Sequence, residues 1–285
     1  LRRHLDAVVE GMDLSLAVQS DPVRCLHRYE RPLDVEIAGL FAALMAFGRV
    51  DLFLPVLEVL LDRMDEKGGP RRWCESLSIP EELAALGPLQ YRWIHGAHLV
   101  LVGAVVREAL KHFGSLGGLF ASFFHEEDVD VQSALSGVVD WMRNQGRVLA
   151  GECGLPEGVL PRAVKHLLAD PSGGSACKRW NLYLRWMVRK DGPDTGIWTA
   201  LEPSALILPL DTHTHRISRF LGLTTRTDGS WRTAVEITGA LRMLDPEDPV
   251  RFDFAMAHLG ISGACKGHRD PEVCPGCPLD PVCQA

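Results

Sequence analysis

The chain has 285 residues, 46% of them hydrophobic, and a formal net charge of −7 at pH 7. That length buries a substantial core, as one large domain or two smaller ones, and the composition is that of a globular protein. The acidic balance excludes a broad electropositive coat for nucleic acid, and no apolar run approaches the about 18 residues that a membrane-spanning helix needs.

Residues 1–30 read as helix, with Leu5, Val8, Val9, Met12 and Leu16 spaced for one face. The start, Leu1-Arg2-Arg3-His4-Leu5-Asp6, has no apolar stretch of signal-peptide length, so a cytoplasmic location is expected, with no membrane partner. From Leu33 to Met64 two helical stripes follow. Leu33, Ile37, Leu40, Phe41, Leu44 and Met45 form the first; Leu52, Val56, Val59, Leu60 and Met64 form the second, beyond a break at Gly48-Arg49. Asp65 to Pro70 is a turn, and Arg71 to Leu89 a short helix and loop. Tyr91-Arg92-Trp93 opens a long apolar helix to about Phe113. His95, His98 and His112 on it are read as hydrogen-bonded core or surface residues rather than ligands. Beyond a break at Gly114–Gly118 come helices near Leu119–Phe124 and Val129–Leu149, a loop over Gly151–Gly158, and a helix over Val159–Leu168. Cys153 is read as a plain thiol.

The stretch from Pro171 to Arg216 organises the rest. It opens with Pro171-Ser172-Gly173-Gly174-Ser175-Ala176-Cys177-Lys178-Arg179. The paired glycines admit positive φ and close backbone approach, and Ser175 or Ser172 is placed to cap the helix that follows to about Lys190. Ala176, Trp180, Tyr183, Leu184 and Met187 give that helix a buried stripe, with Arg179, Arg185, Arg189 and Lys190 largely off it. Lys178 falls in the first turn, where the helix dipole disfavours added positive charge and so favours the neutral, nucleophilic amine. The run Leu206–Leu210 is the best strand candidate in a chain otherwise without strand signals. After it Asp211 heads a second helix, Thr212 to about Leu221, whose free N–H groups stabilise a carboxylate. Between Ser172 and Arg226 eight Lys and Arg stand against four acids, a locally basic segment on an acidic body. His213 and His215, at i and i+2, point to different sides of a helix and are not a metal pair.

Trp231–Leu244 and Val250–Leu259 are further helices. The chain then ends in Cys265, Cys274, Cys277 and Cys283, spaced C-x8-C-x2-C-x5-C, four of its eight cysteines. Clustered thiols between Pro and Gly in a chain with no secretion signal point to metal rather than disulfides. A tetrahedral zinc and a [4Fe–4S] cubane both accept four thiolates.

Gly174-x-x-x-Lys178 followed by Asp211-Thr212-His213-x-x-Arg216 resembles the helix-hairpin-helix DNA glycosylases of the endonuclease III type. The wording Cys177-Lys178-Arg179-Trp180-Asn181-Leu182, with Pro209-Leu210-Asp211-Thr212-His213, is closer still to an uncharacterised bacterial branch of that superfamily. Ala176 replaces the second hairpin glycine, Asp191 to Pro209 is inserted between the two motifs, and the first cysteine gap is two residues longer.

The resemblance implies an all-α, two-lobed helical fold closed by the four-cysteine loop. One lobe would hold residues 1–32 and 172–285, and the other residues 33–171. It implies base flipping and excision by an N-glycosylase with AP-lyase activity, with Lys178 as nucleophile and Asp211 as its acid/base and electrostatic partner. Gly173, Gly174, Ser175, Arg179 and Arg216 would contact DNA, with Arg49 as the wedge that fills the vacated stack. The four cysteines would hold a [4Fe–4S] cluster, with zinc as the alternative. The expected partner is damaged duplex DNA, bound by a monomer. Two other readings share the fold: a non-catalytic lesion- or nucleic-acid-binding protein, and a glycosylase acting on RNA or single strands.

Overall fold

The computed structural model describes residues 1–285 and is mostly helical. Its elements are α1 (Arg2–Glu10), α2 (Leu14–Gln19), α3 (Pro32–Met45), α4 (Val50–Glu66), α5 (Pro70–Glu75), α6 (Ile79–Leu86), α7 (Gly96–Phe113), α8 (Leu116–Ala121), α9 (Gln132–Leu149), α10 (Arg162–Leu167), α11 (Lys178–Val188), α12 (Thr212–Phe220), α13 (Trp231–Arg242) and α14 (Asp253–Ile261). Two two-residue strands, β1 (Gln90–Tyr91) and β2 (Ile94–His95), form one small antiparallel hairpin. The fold class is all-α. No helix is long and apolar enough to cross a membrane.

The chain divides into two compact units, one of residues 1–19 with 171–285 and one of residues 20–170. Residues 20–32, grouped with the termini in the sequence reading, belong to the central unit. Asp21 accepts the Val23 N–H at 2.9 Å and starts a 3-10 turn, Pro22–Arg28, whose Val23 and Leu26 are sealed in the core against α3. The single helix expected over 1–30 is thus three short pieces, broken after Gly11 and at Pro22.

In the central unit α3 is buried along almost its whole length. Pro32 pre-sets its first turn, and it ends where Gly48 turns with φ +81°. Two of its acids serve as caps for other helices. The Asp34 carboxylate accepts the Arg71 N–H of α5 at 2.8 Å. The Glu36 carboxylate accepts the Leu116 and Gly117 N–H groups of α8 at 2.8 and 3.2 Å. The apolar helix α7 packs against α6, α8 and α9. Gly103 lets Trp73 lie against it, since a Cβ there would come within 2.5 Å of the indole ring. The segment Tyr91-Arg92-Trp93 is the hairpin rather than the start of α7, with Arg92 at φ +52°. The helix begins at Gly96, pressed so close to the end of α6 that a Cβ would sit 1.8 Å from the Leu86 carbonyl oxygen. His95 and His98 cap that start reciprocally.

In the terminal unit α12 and α14 make the closest helix pair, and α1 packs against α14. Gly260 admits the His213 ring, which a Cβ would meet at 2.3 Å. Leu206–Leu210 is buried but is not a strand. Its Leu208 N–H is satisfied by the Thr238 hydroxyl at 3.0 Å instead of a sheet neighbour. The inserted stretch 191–209 folds back on the C-terminal end of α11. Thr195 and Gly196 N–H groups bond the Trp186 carbonyl, and the Trp198 N–H bonds that of Met187 at 2.8 Å. Trp198 also stands edge-on to Tyr183, with ring centroids 5.3 Å apart.

Candidate functional site

Lys178 is the first residue of α11, and the turn before it is bent sharply enough to set its direction. Gly174 has φ +80° and Cys177 has φ +47°, a left-handed conformation that costs a non-glycine residue about 1 kcal/mol. Neither serine caps the helix. Cys177 occupies the N-cap position without a side-chain bond, while Ser175 Oγ accepts the Cys177 N–H at 3.2 Å. Asn181 Nδ2 bonds the Ala176 carbonyl at 3.0 Å, and the Trp231 N–H at the start of α13 bonds the Gly174 carbonyl at 3.1 Å. The turn is held from both sides.

Asp211 is the N-cap of α12. Its Oδ1 accepts the His213 and Thr214 N–H groups at 2.8 and 2.9 Å, and the Asp211 N–H donates in return to the Thr214 hydroxyl oxygen at 2.9 Å. With Oδ1 so engaged, Oδ2 faces Lys178 Nζ at 3.8 Å. The two residues, 33 positions apart in the numbering, share one locale and both reach solvent: the lysine side chain is 34% exposed and the aspartate 17%. The separation is an ion-pair distance, longer than a direct hydrogen bond.

Behind this pair the structure corrects the sequence reading of α11. Arg179, Arg185 and Arg189 are not off the buried stripe; all three are buried, and only Lys190 is on the surface. Burial pushes the Arg179 guanidinium down to about 10. Arg185 donates to Asp194 Oδ1 at 3.1 Å and to Asp253 Oδ2. Arg189 donates to Asp194 Oδ2 and, at 2.8 Å, to Asp248. Burial raises the Asp194 carboxyl above its usual range against the pull of both arginines. Burial likewise lifts Asp253 to about 6; Arg185 opposes the rise and Asp211 adds to it. Asp194 and Asp253 were missed by sequence reasoning. They lie 9 and 68 residues from Arg185, and nothing local marks either as its partner.

Arg216, one helical turn past Asp211, lies over Gly267, where a Cβ would meet its guanidinium at 2.8 Å, and its Nε is buried. Gly267 itself lies between the first two cysteines of the tail. Gly173 and Gly174 have open space where a side chain would be. In the central unit Arg49 is the N-cap of α4, its side chain 75% exposed and paired with Asp51 at 2.6 Å.

Cys265, Cys274, Cys277 and Cys283 line one recess together with Ile217 and Phe220 of α12, Leu221 just beyond it and Leu259 of α14. No cysteine of the chain is in a disulfide. Burial raises the Cys277 thiol, and Cys265, Cys283 and Cys274 each raise it further, so the four sulfurs feel one another. The Asp270 N–H donates to Cys274 Sγ at 3.2 Å. The tail is tied down by the Gln284 N–H on the Phe220 carbonyl at 2.8 Å and by His4 on the Pro278 carbonyl at 2.9 Å. The thiols surround the recess without closing on one point: no three His, Cys, Asp or Glu side chains are placed to hold a single metal ion.

No curated protein and no solved structure matches this chain. A family model described as "Protein of unknown function (DUF2400)" matches residues 21–262, which takes in Lys178, Asp211 and the buried ion-pair network and stops short of the four cysteines. The chain belongs to the DUF2400 family.

Proposed function

We propose that the Lys178–Asp211 pair is the reacting centre of a DNA N-glycosylase with associated AP-lyase activity. The observation that carries this reading is the 3.8 Å approach of a partly exposed amine to a partly exposed carboxylate whose other oxygen is locked by a helix N-terminus. In the proposed reaction a damaged nucleotide is flipped out of the duplex. The neutral Lys178 amine bonds to the sugar C1′ as the glycosidic bond breaks, and the electron pair leaves with the base, which takes up a proton. Asp211 receives the proton that the attacking nitrogen sheds and opposes the positive charge developing on the sugar. Opening of the sugar ring gives a Schiff base, and β-elimination then breaks the C3′–O bond. Gly173 and Ser175 offer backbone N–H groups toward a phosphate, the Gly174 N–H being donated to the Pro171 carbonyl at 2.9 Å, and Arg216 and Arg49 are further contacts to DNA.

The four thiols suit a [4Fe–4S] cluster. A tetrahedral zinc ion, which also accepts four thiolates, is the alternative. Such a cluster, when bound, supplies a structural tie. This chain's part is to hold Lys266, His268 and Arg269 on the loop between the first two ligands, where they can face a phosphate backbone.

Borohydride reduction in the presence of abasic-site duplex DNA tests the reaction. Wild type is expected to form a covalent protein–DNA adduct, Lys178→Ala none, and Asp211→Asn far less. Equal absence of adduct in wild type and Lys178→Ala, across damaged duplex, single-stranded and structured RNA substrates, refutes the lyase reading. Tight binding of damaged DNA that Asp211→Asn leaves unchanged would select a non-catalytic binder.

A further inference from the structure

In the central unit, rings from three separate elements meet at the surface. Phe47 belongs to the turn between α3 and α4, Trp93 to the two-residue tip of the β1–β2 hairpin, and His166 to α10. Trp93 stacks on Phe47 with centroids 5.3 Å apart and planes 27° from parallel. His166 stands edge-on to both, 5.9 Å from Phe47 and 5.4 Å from Trp93. The Tyr91 hydroxyl donates to the Phe47 carbonyl and ties the hairpin to the turn. So supported, the Trp93 side chain is still 46% exposed.

Arg92 adds a cation to the rings. Its backbone is left-handed, with φ +52°, a conformation uncommon outside glycine. Its guanidinium carbon lies 5.7 Å from the Tyr91 ring centre and 5.9 Å from those of Phe47 and Trp93, within cation–π range. Gly48 leaves room for it, since a Cβ there would come within 2.7 Å of the guanidinium. Residues 46–49, 90–95 and 162–167, which build the cluster, include three arginines and no Asp or Glu. Arg162 and His166 are both exposed and lie one turn apart on one face of α10. Asp51, the first acid after the turn, is held by Arg49.

We propose that this cluster is a stacking platform for an unpaired base of single-stranded DNA, with Trp93 as the stacking face and Arg92 and Arg162 as contacts to the flanking phosphates. The chemistry is complementary on both counts. A base presents a flat π face to an indole already fixed by Phe47 and His166, and its backbone presents anions to a surface whose own elements supply cations and no acids. Stacking of this kind reads no sequence, because every base has such a face. The site lies wholly in the central unit and does not depend on the Lys178–Asp211 reading.

The test is fluorescence anisotropy of the full chain with two labelled probes of equal length. One is oligodeoxythymidine; the other is an oligomer of abasic spacers, which keeps the phosphates and lacks the bases. Wild type is expected to bind the thymidine oligomer, and Trp93→Ala to weaken that binding about tenfold while leaving the abasic oligomer unchanged. Arg162→Gln is expected to weaken both probes alike and to reduce the salt dependence. Trp93→Phe should restore most of the lost affinity. If the alanine variant does not fold, Trp93→Leu, which keeps an apolar contact on Phe47 and has no ring, gives the same contrast. No loss in the ringless variant, an equal loss on both probes, or a wild type that binds neither overturns the proposal. A loss on blunt duplex DNA as large as that on the thymidine oligomer overturns the assignment to an unpaired base. The expected contrast with no borohydride trapping in any variant upholds the platform and refutes the lyase reading.

Discussion

The two units bury charge in different ways. Of the sixteen buried polar and charged residues, the central unit holds only Asp34, Glu36 and Glu82, and the terminal unit holds the other thirteen. In the central unit Asp34 and Glu36 each serve a helix N-terminus, and Glu82 meets Arg63 at 2.9 Å at the edge of a surface cluster that Glu66 and Glu81 share. The rest of its interior is the apolar packing of α3 and α7. In the terminal unit Arg185, Arg189, Asp194 and Asp253 are linked into a network directly behind the solvent-facing amine and carboxylate. A core built for stability alone gains little from such a network, because desolvation consumes most of the Coulombic gain. In the function proposed above, its place in the same unit as Lys178 and Asp211 is that of groups that tune a reaction site.

The largest effect separating the units is chemical. Lys178→Ala is expected to abolish borohydride-trapped adduct while leaving the melting temperature within a few degrees of wild type, whereas no single substitution of a central-unit core residue that still folds should do so. Next comes stability. Arg185→Ala strands the Asp253 carboxylate and leaves Asp194 to Arg189 alone, and is expected to cost about 3–5 kcal/mol in chemical denaturation. Glu36→Ala, which leaves the Leu116 and Gly117 N–H groups of α8 without their acceptor while Ser115 still caps Gly118, should cost nearer about 2 kcal/mol. Smaller again, Gly260→Ala drives a methyl into the His213 ring and should cost about 1–3 kcal/mol, with reduced trapping because α12 carries Asp211. Gly103→Ala in the central unit meets Trp73 in the same way and should show a similar cost without the loss of trapping.

The pH dependence sharpens the contrast. Asp253 titrates at about 6 in the folded protein, above an unfolded carboxyl at about 4, so the native state holds the proton through that window. Its stabilising contribution is therefore complete below the unfolded value and is lost as pH rises through about 6. The stability of wild type relative to Asp253→Asn should fall across that interval by on the order of 2 kcal/mol, read from denaturation midpoints at a series of pH values. Arg49→Ala, at an exposed ion pair in the central unit, should change stability by less than about 0.5 kcal/mol. Any larger change places Arg49 in the fold rather than on a DNA-facing turn.

Much of this was legible along the chain. The apolar spacing of α3, α4, α7 and α13 marked them as helices, and Gly48, Gly114 and the Pro171–Gly174 turn marked their breaks. Lys178 and Asp211 stood out because each lies at a helix start, where backbone N–H groups and the dipole act on charge. What misled was the arginine pattern of α11. A stripe of apolar residues says which face is buried only when another face meets water, and α11 is enclosed all round. The hairpin at Gln90–His95 was equally hidden, since its strands are two residues each, too short for an alternating pattern.

The sequence by itself determined the all-helical class and the main helices, though not every boundary, because capping, turn geometry and periodicity act between residues a few positions apart. Only the tertiary structure decided that residue 178 meets residue 211, that Asp194 and Asp253 share Arg185, and that four thiols ring one recess. Those facts depend on which desolvated charges end up side by side, and a buried charge is governed by neighbours that the chain brings from afar.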